Sequence, residues 1–195
     1  MLLGAVSLVI LASVPLLGGH LARLADLRWR WPLLLPIGLG LQVLLIEVLA
    51  GAEIPHGALH LVSYAVIGAF VLVNLHIPGM PLIGLGGGLN AIAIAANGGV
   101  MPASRGALAT AGFGPDEGFV NSGAVEDARL GFLGDVFAVP ASWPLTNVFS
   151  VGDVVLLAGL AYGVHVIADS RLAPPARRLA QRLPGLRRRS DPVRA

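Results

Sequence analysis

Long uncharged apolar runs recur along this chain, separated by short polar breaks. Residues 1–19, MLLGAVSLVILASVPLLGG, hold no charged side chain, and 33–50 are interrupted by Gln42 and Glu47 alone; runs at 58–77, about 79–96 and 151–169 continue the series. A helix rises about 1.5 Å per residue, so the first run would extend about 28 Å, close to the roughly 30 Å of a bilayer's hydrocarbon. The pattern predicts an all-α integral membrane protein, a bundle of about five transmembrane helices. A cleaved signal peptide is the rival reading of the first run, but its basic leading segment is missing and the arginines follow the apolar stretch, so a retained helix is expected. Pro32 or Pro36 suits a first helical turn. Pro78-Gly79 predicts that the third and fourth spans form an antiparallel hairpin, and Gly84, Gly88 and Ala95 leave room for a neighbouring backbone.

Arginine placement then orients the bundle. Arg23, Arg28 and Arg30 put the first connection in the cytoplasm, with Trp29 and Trp31 as interfacial anchors. The N-terminus is thus expected outside and the C-terminus inside. Residues 1–169 read as a transmembrane helical domain that includes a long outer loop at about 97–147, and 170–195 as a basic cytoplasmic tail. That loop has apolar, proline-bearing flanks and an acidic middle, with Asp116, Glu117, Glu126, Asp127 and Asp135 against Arg105 and Arg129. Its flanks are expected on or within the outer face of the bundle, and its middle mobile.

Composition supports the same solvent: 55% of the residues are hydrophobic and 12% charged, against about 25% charged in an ordinary soluble domain. With no cysteine, disulfides, thiolate metal sites and cysteine nucleophiles are excluded. Eight of the 13 basic residues follow residue 170, where Asp191 is the single acid, so the tail carries +7 and the remainder −5. A basic segment beside a membrane helix meets anionic headgroups. Arg177, Arg178, Arg182, Arg187, Arg188 and Arg189 are accordingly the expected headgroup-binding residues, with Leu179 and Leu183 on the other side of a short amphipathic helix; nucleic acid is not expected as a partner.

Polar groups within apolar runs are the candidate chemistry. Glu47 is the expected buried ionisable residue. Glu53, His56 and His60 could hold zinc, but Gly57 stands where the metalloprotease pattern needs glutamate, so no metal is expected. His20, His76 and His165 would suggest haem or quinone only if they faced one another at matched depth, and no cofactor is expected. Ser150 and Asp153 have capping-box spacing, which accounts for the aspartate without a ligand. Gly86-Gly87-Gly88 lacks the following lysine of a phosphate loop and reads as flexible or closely packed backbone. Asn90 and Asn97, seven residues apart, read as interhelical hydrogen-bond donors and acceptors.

The blocks 89–102 (LNAIAIAANGGVMP), 134–137 (GDVF) and 144–153 (PLTNVFSVGD), with Gly18-Gly19 and 24–28 (LADLR), resemble an uncharacterised bacterial family of multi-pass membrane proteins, a domain of unknown function. The resemblance implies an inner-membrane protein to which no reaction attaches, and directs attention to Asn90, Asn97, Asp135, Asn147 and Asp153 as a polar pocket. The expected role is a structural or interaction module or accessory subunit. Binding or transport of a small solute or lipid is the first alternative, and an intramembrane enzyme acting on a lipid or isoprenoid the second. Expected partners are membrane lipids and a membrane protein or a second copy of the chain.

Overall fold

The computed structural model describes residues 2–44, 56–114, 122–123 and 127–174. Among these, the helices are α1 (Leu2–Leu16), α2 (Leu34–Val43), α3 (His56–Val73), α4 (Met80–Ala96), α5 (Arg105–Ala111) and α6 (Val151–Ile167). Short strands β1 (Met101–Pro102) and β2 (Ser122–Gly123) pair in parallel, and β3 (Asp135–Val139) and β4 (Asn147–Ser150) pair antiparallel.

Helices α4 and α6 form the closest contact, and bare α-carbons make it possible. A Cβ on Gly79 would strike the Gly159 carbonyl and come within 2.9 Å of the Gly163 Cα; one on Gly86 would meet the Leu156 nitrogen at 2.6 Å. Gly152 faces the Asn90 carboxamide across the same seam. With Gly79 near Gly159 and Gly86 near Gly152, the helices run antiparallel. Small residues seven apart keep the contact on one face of each helix. On the other side, α2 lies antiparallel to α3: Trp29, just before α2, stacks on Phe70 at 5.6 Å, and Gly38 sits against Ile67.

Two asparagines at helix ends dock loops by one shared device. The Asn74 carboxamide accepts from the Arg30 N–H and donates to the Arg30 carbonyl, both at 2.9 Å, and donates also to the Phe70 carbonyl one turn back. Asn97 repeats it: it accepts from the Arg129 N–H at 2.9 Å and donates to the carbonyls of Arg129 and Ala93. A carboxamide presents one acceptor and two donors, so it can imitate a strand neighbour while capping its own helix.

The stretch 97–147, expected as a connection, contains β1, α5 and β3 and leads into β4. Ser104 caps α5 by accepting from the Ala107 N–H, Gly112 closes it at φ 79°, and Ala107, Leu108 and Ala111 pack against Val148. In the β3–β4 ladder Asp135 is opposite Ser150, Phe137 opposite Phe149 and Val139 opposite Asn147, with an irregularity between Asp135 and Phe137. Asp116, Glu117 and Glu126 lie outside the described residues.

The five-span bundle is overturned: no helix among the described residues is long and apolar enough to cross a membrane. Local structure cuts the apolar runs short. The first run is helical only to Leu16, because Gly18 takes a left-handed conformation and the chain doubles back so that the His20 N–H donates to the Ala168 carbonyl. The last run ends its helix at Ile167, before Asp169 at φ 55°. Seventeen residues in α4 and in α6 extend about 26 Å. Without spans, the arginine count has nothing to orient, and the outside N-terminus and inside C-terminus fall with it. Apolar side chains nevertheless point outward, with Leu8, Leu16, Leu33 and Leu72 each at least 67% exposed.

The seam makes a paired prediction. Gly86→Leu drives side-chain atoms into the α6 backbone and should cost about 3 kcal/mol or more, whereas Gly87→Ala, where a Cβ meets nothing within 4 Å, should gain up to about 1 kcal/mol from helix propensity. Chemical denaturation followed by circular dichroism checks both.

Candidate functional site

Where β4 runs into α6, the backbone changes from extended to helical at Ser150, and the first turn of α6 needs acceptors for its free amides. Ser150 and Asp153 supply them. The Ser150 hydroxyl accepts from the Asp153 N–H at 3.0 Å while the Asp153 Oδ2 accepts from the Ser150 N–H at 3.1 Å. Asn90 on α4 completes the set: its amide nitrogen donates to Asp153 Oδ1, and its oxygen accepts from the Ser150 hydroxyl, both at 2.8 Å. Both Asp153 oxygens are thereby engaged.

Of the five residues expected to form a polar pocket, this places three together. Asn90 and Asp153 are bonded, and Asp135, buried at 5% exposure, stands opposite Ser150 in the ladder. Asn147 lies at the far end of β4, where its side chain accepts from the Val148 N–H. Asn97 sits two turns beyond Asn90 and serves the Arg129 backbone instead. His60 is buried, with Nδ1 3.2 Å from the Gly99 carbonyl and its ring 5.3 Å from that of Tyr64. Among the described residues no group of three or more histidines and carboxylates could hold a metal ion. Glu47, Glu53 and the tail arginines Arg177, Arg178, Arg182, Arg187, Arg188 and Arg189 lie outside the described residues, as does the His56 side chain. His165 is buried between Ser13, 3.1 Å from Nε2, and Ser170, 2.8 Å from Nδ1, whereas His20 and His76 are exposed.

Tyr64 joins this cluster to a neighbouring groove. Burial pushes its phenol up to about 12, and the charges of Asp153 and then Asp135 push in the same direction. The tyrosine therefore remains a hydrogen-bond donor at neutral pH. The groove, of about 470 Å³, runs between α2, α3 and α4, with Leu156 of α6 also on its wall. Its lining is aliphatic or glycine apart from Gln42 and Tyr64. A Cβ on Gly68, Gly87 or Gly88 would meet nothing within 4 Å, so at these positions the missing side chains are the open space.

The family model that matches this chain covers residues 25–165 and is described as a family of unknown function, DUF5317. The chain belongs to the DUF5317 family. No curated protein and no solved structure matches it. The DUF5317 match runs over residues 25–165 as a whole and singles out none of the three sequence blocks; Gly18-Gly19 lies before it. The multi-pass membrane character expected of such a family is corrected, because no helix among the described residues is long and apolar enough to cross a membrane. The inner-membrane location, the lipid, headgroup and membrane-bound partners, and the roles as membrane scaffold, transporter or intramembrane enzyme all rested on those spans and are overturned with them.

Neither Tyr64 nor the groove stood out in the sequence. Gln42 registered only as a break in an apolar run, and the glycines as loose or closely packed backbone. The available signal was spacing: Gly84, Gly87 and Gly88 cannot share the face of Gly86 at 100° per residue.

Two predictions follow from the geometry. Asp153→Ala and Asn90→Ala should each destabilise the fold by about 1–3 kcal/mol, and in a double-mutant cycle they should be coupled by at least about 0.5 kcal/mol. Tyr64 favours the fold while protonated, since its folded value lies above the ordinary 10.0. That contribution is complete below about pH 10 and is lost as pH rises through about 12. Tyr64→Phe should flatten this alkaline slope in denaturation curves.

Proposed function

We propose that the chain is a binding module for a small apolar molecule, held in the groove between α2, α3 and α4. The observation that carries this reading is the glycine-floored cleft. A glycine inside a helix costs about 1 kcal/mol relative to alanine, yet Gly68, Gly87 and Gly88 occupy helix interiors where alanine would fit. Their effect is to keep a volume open that side chains would otherwise fill. That volume of about 470 Å³ falls in the range of small-molecule sites, which are mostly apolar with a few placed polar groups. From Tyr64 to Leu75 the groove follows α3 and the turn after it for eleven residues, up to about 16 Å at 1.5 Å per residue, so an elongated occupant fits better than a compact one.

The test is titration with a neutral apolar fluorophore, N-phenyl-1-naphthylamine. Saturable one-to-one binding is expected, weakened at least about tenfold by Gly88→Leu, which fills the groove. Gly4→Leu adds the same bulk to open space on α1 and should leave affinity unchanged. Equal affinities for the wild type and Gly88→Leu would overturn the reading.

A further inference from the structure

The groove is uniformly apolar except at one end, and the register of α2 against α3 shows which end. Gly38 sits against Ile67 and Trp29 against Phe70, so the helices are antiparallel, and one turn onward along α2 brings Gln42 level with Tyr64. Towards the opposite end the lining is Leu72, Leu75 and Pro81. Neither the Tyr64 hydroxyl nor the Gln42 carboxamide makes a hydrogen bond among the described residues, although both line the groove. Asp169 Oδ1 is the one buried side-chain polar atom without a partner among the described residues, so the Tyr64 and Gln42 groups reach open space, where a ligand can exchange hydrogen bonds with them.

We infer, on the reading that the groove binds an apolar molecule, that its ligand is uncharged and carries a hydrogen-bond acceptor of the ketone or ester carbonyl type, seated at the Gln42–Tyr64 end. Three observations select this chemistry. The phenol stays protonated and so offers a hydrogen to an acceptor. Asp153 and Asp135 lie close enough to act on that phenol, and their negative charge disfavours an anionic head. Each Asp153 oxygen already accepts a hydrogen bond, from Asn90 and from the Ser150 N–H, so an ammonium head would have to compete with the contacts that hold the first turn of α6.

Three ligands of one shape separate the possibilities: diphenylmethane, benzophenone and benzhydrylamine, each measured by displacement of N-phenyl-1-naphthylamine. Benzophenone should bind about three- to tenfold more tightly than diphenylmethane. Tyr64→Phe should erase most of that preference while leaving diphenylmethane within about twofold of its wild-type affinity; Gln42→Leu, on a different helix, serves as the second variant. Equal binding of ketone and hydrocarbon, a ketone preference that survives both substitutions, or tightest binding by the amine would each overturn the inference while leaving the groove a binding site. If Gly88→Leu weakens none of the three, the binding reading itself fails and the inference falls with it.

Discussion

Close approach of α4 to α6 is the constraint on which the rest of this structure depends. Two helices meet at this distance only where one or both lack a Cβ, and glycine at 79, 86, 152, 159 and 163 meets that condition along the whole seam. The approach brings Asn90 within hydrogen-bonding distance of Ser150 and Asp153. If α6 stood off by the width of a methyl group, the carboxamide could not reach the capping box, and the first turn of α6 would lose the partner that ties it to α4. Packing and polar satisfaction are therefore one event here: the glycines set the distance, and the network fixes the axial register.

The same economy appears where helices meet loops. Asn74 and Asn97 each end a helix and each hold the backbone of an arginine, at 30 and at 129, through a pair of hydrogen bonds that resembles a strand pairing. Because the recognised groups are main-chain N–H and C=O, the arginine side chains are left to other uses. A third arginine, Arg23, uses its side chain instead: its guanidinium pairs with Asp169 at 3.3 Å, beside the crossing where 17–20 meet 168–171. Ends of elements, more than their middles, carry the specific polar contacts of this fold.

How much of this was legible in the sequence follows from what each signal measures. The hairpin of α3 and α4 could be read, since Pro78-Gly79 admits few other conformations and Gly79 does take φ 89°. The capping box at Ser150 was legible for a similar reason, because it needs only four adjacent residues. Membrane spans were misread because hydropathy reports how apolar a stretch is, not where the helix within it stops. Gly18 and Asp169, both at positive φ, end α1 and α6 inside runs that look continuous. Outward-facing Leu8, Leu16 and Leu72 leave α1 and α3 without a polar stripe that would mark an outer face in the sequence. The sequence marks Asn90 and Asp153 as pocket candidates but not their bond to one another, since residues 63 apart meet through tertiary packing and no local pattern encodes it.

The triplet Gly86-Gly87-Gly88 concentrates the difficulty. As a string it reads as flexible or closely packed backbone within an apolar run, and all three residues lie within α4. At 100° per residue, consecutive positions point in different directions, so one triplet serves two surfaces. Gly86 faces α6, where a Cβ would collide with the Gly152 carbonyl and the Leu156 backbone; Gly87 and Gly88 face open volume. Absence of a side chain thus produces contact on one side of the helix and vacancy on the other. A replacement at 86 acts on assembly, and a replacement at 87 or 88 acts on the groove, so the two roles can be separated experimentally despite adjacent positions. That separability makes the cleft a feature distinct from the packing seam, not a by-product of a loosely packed helix.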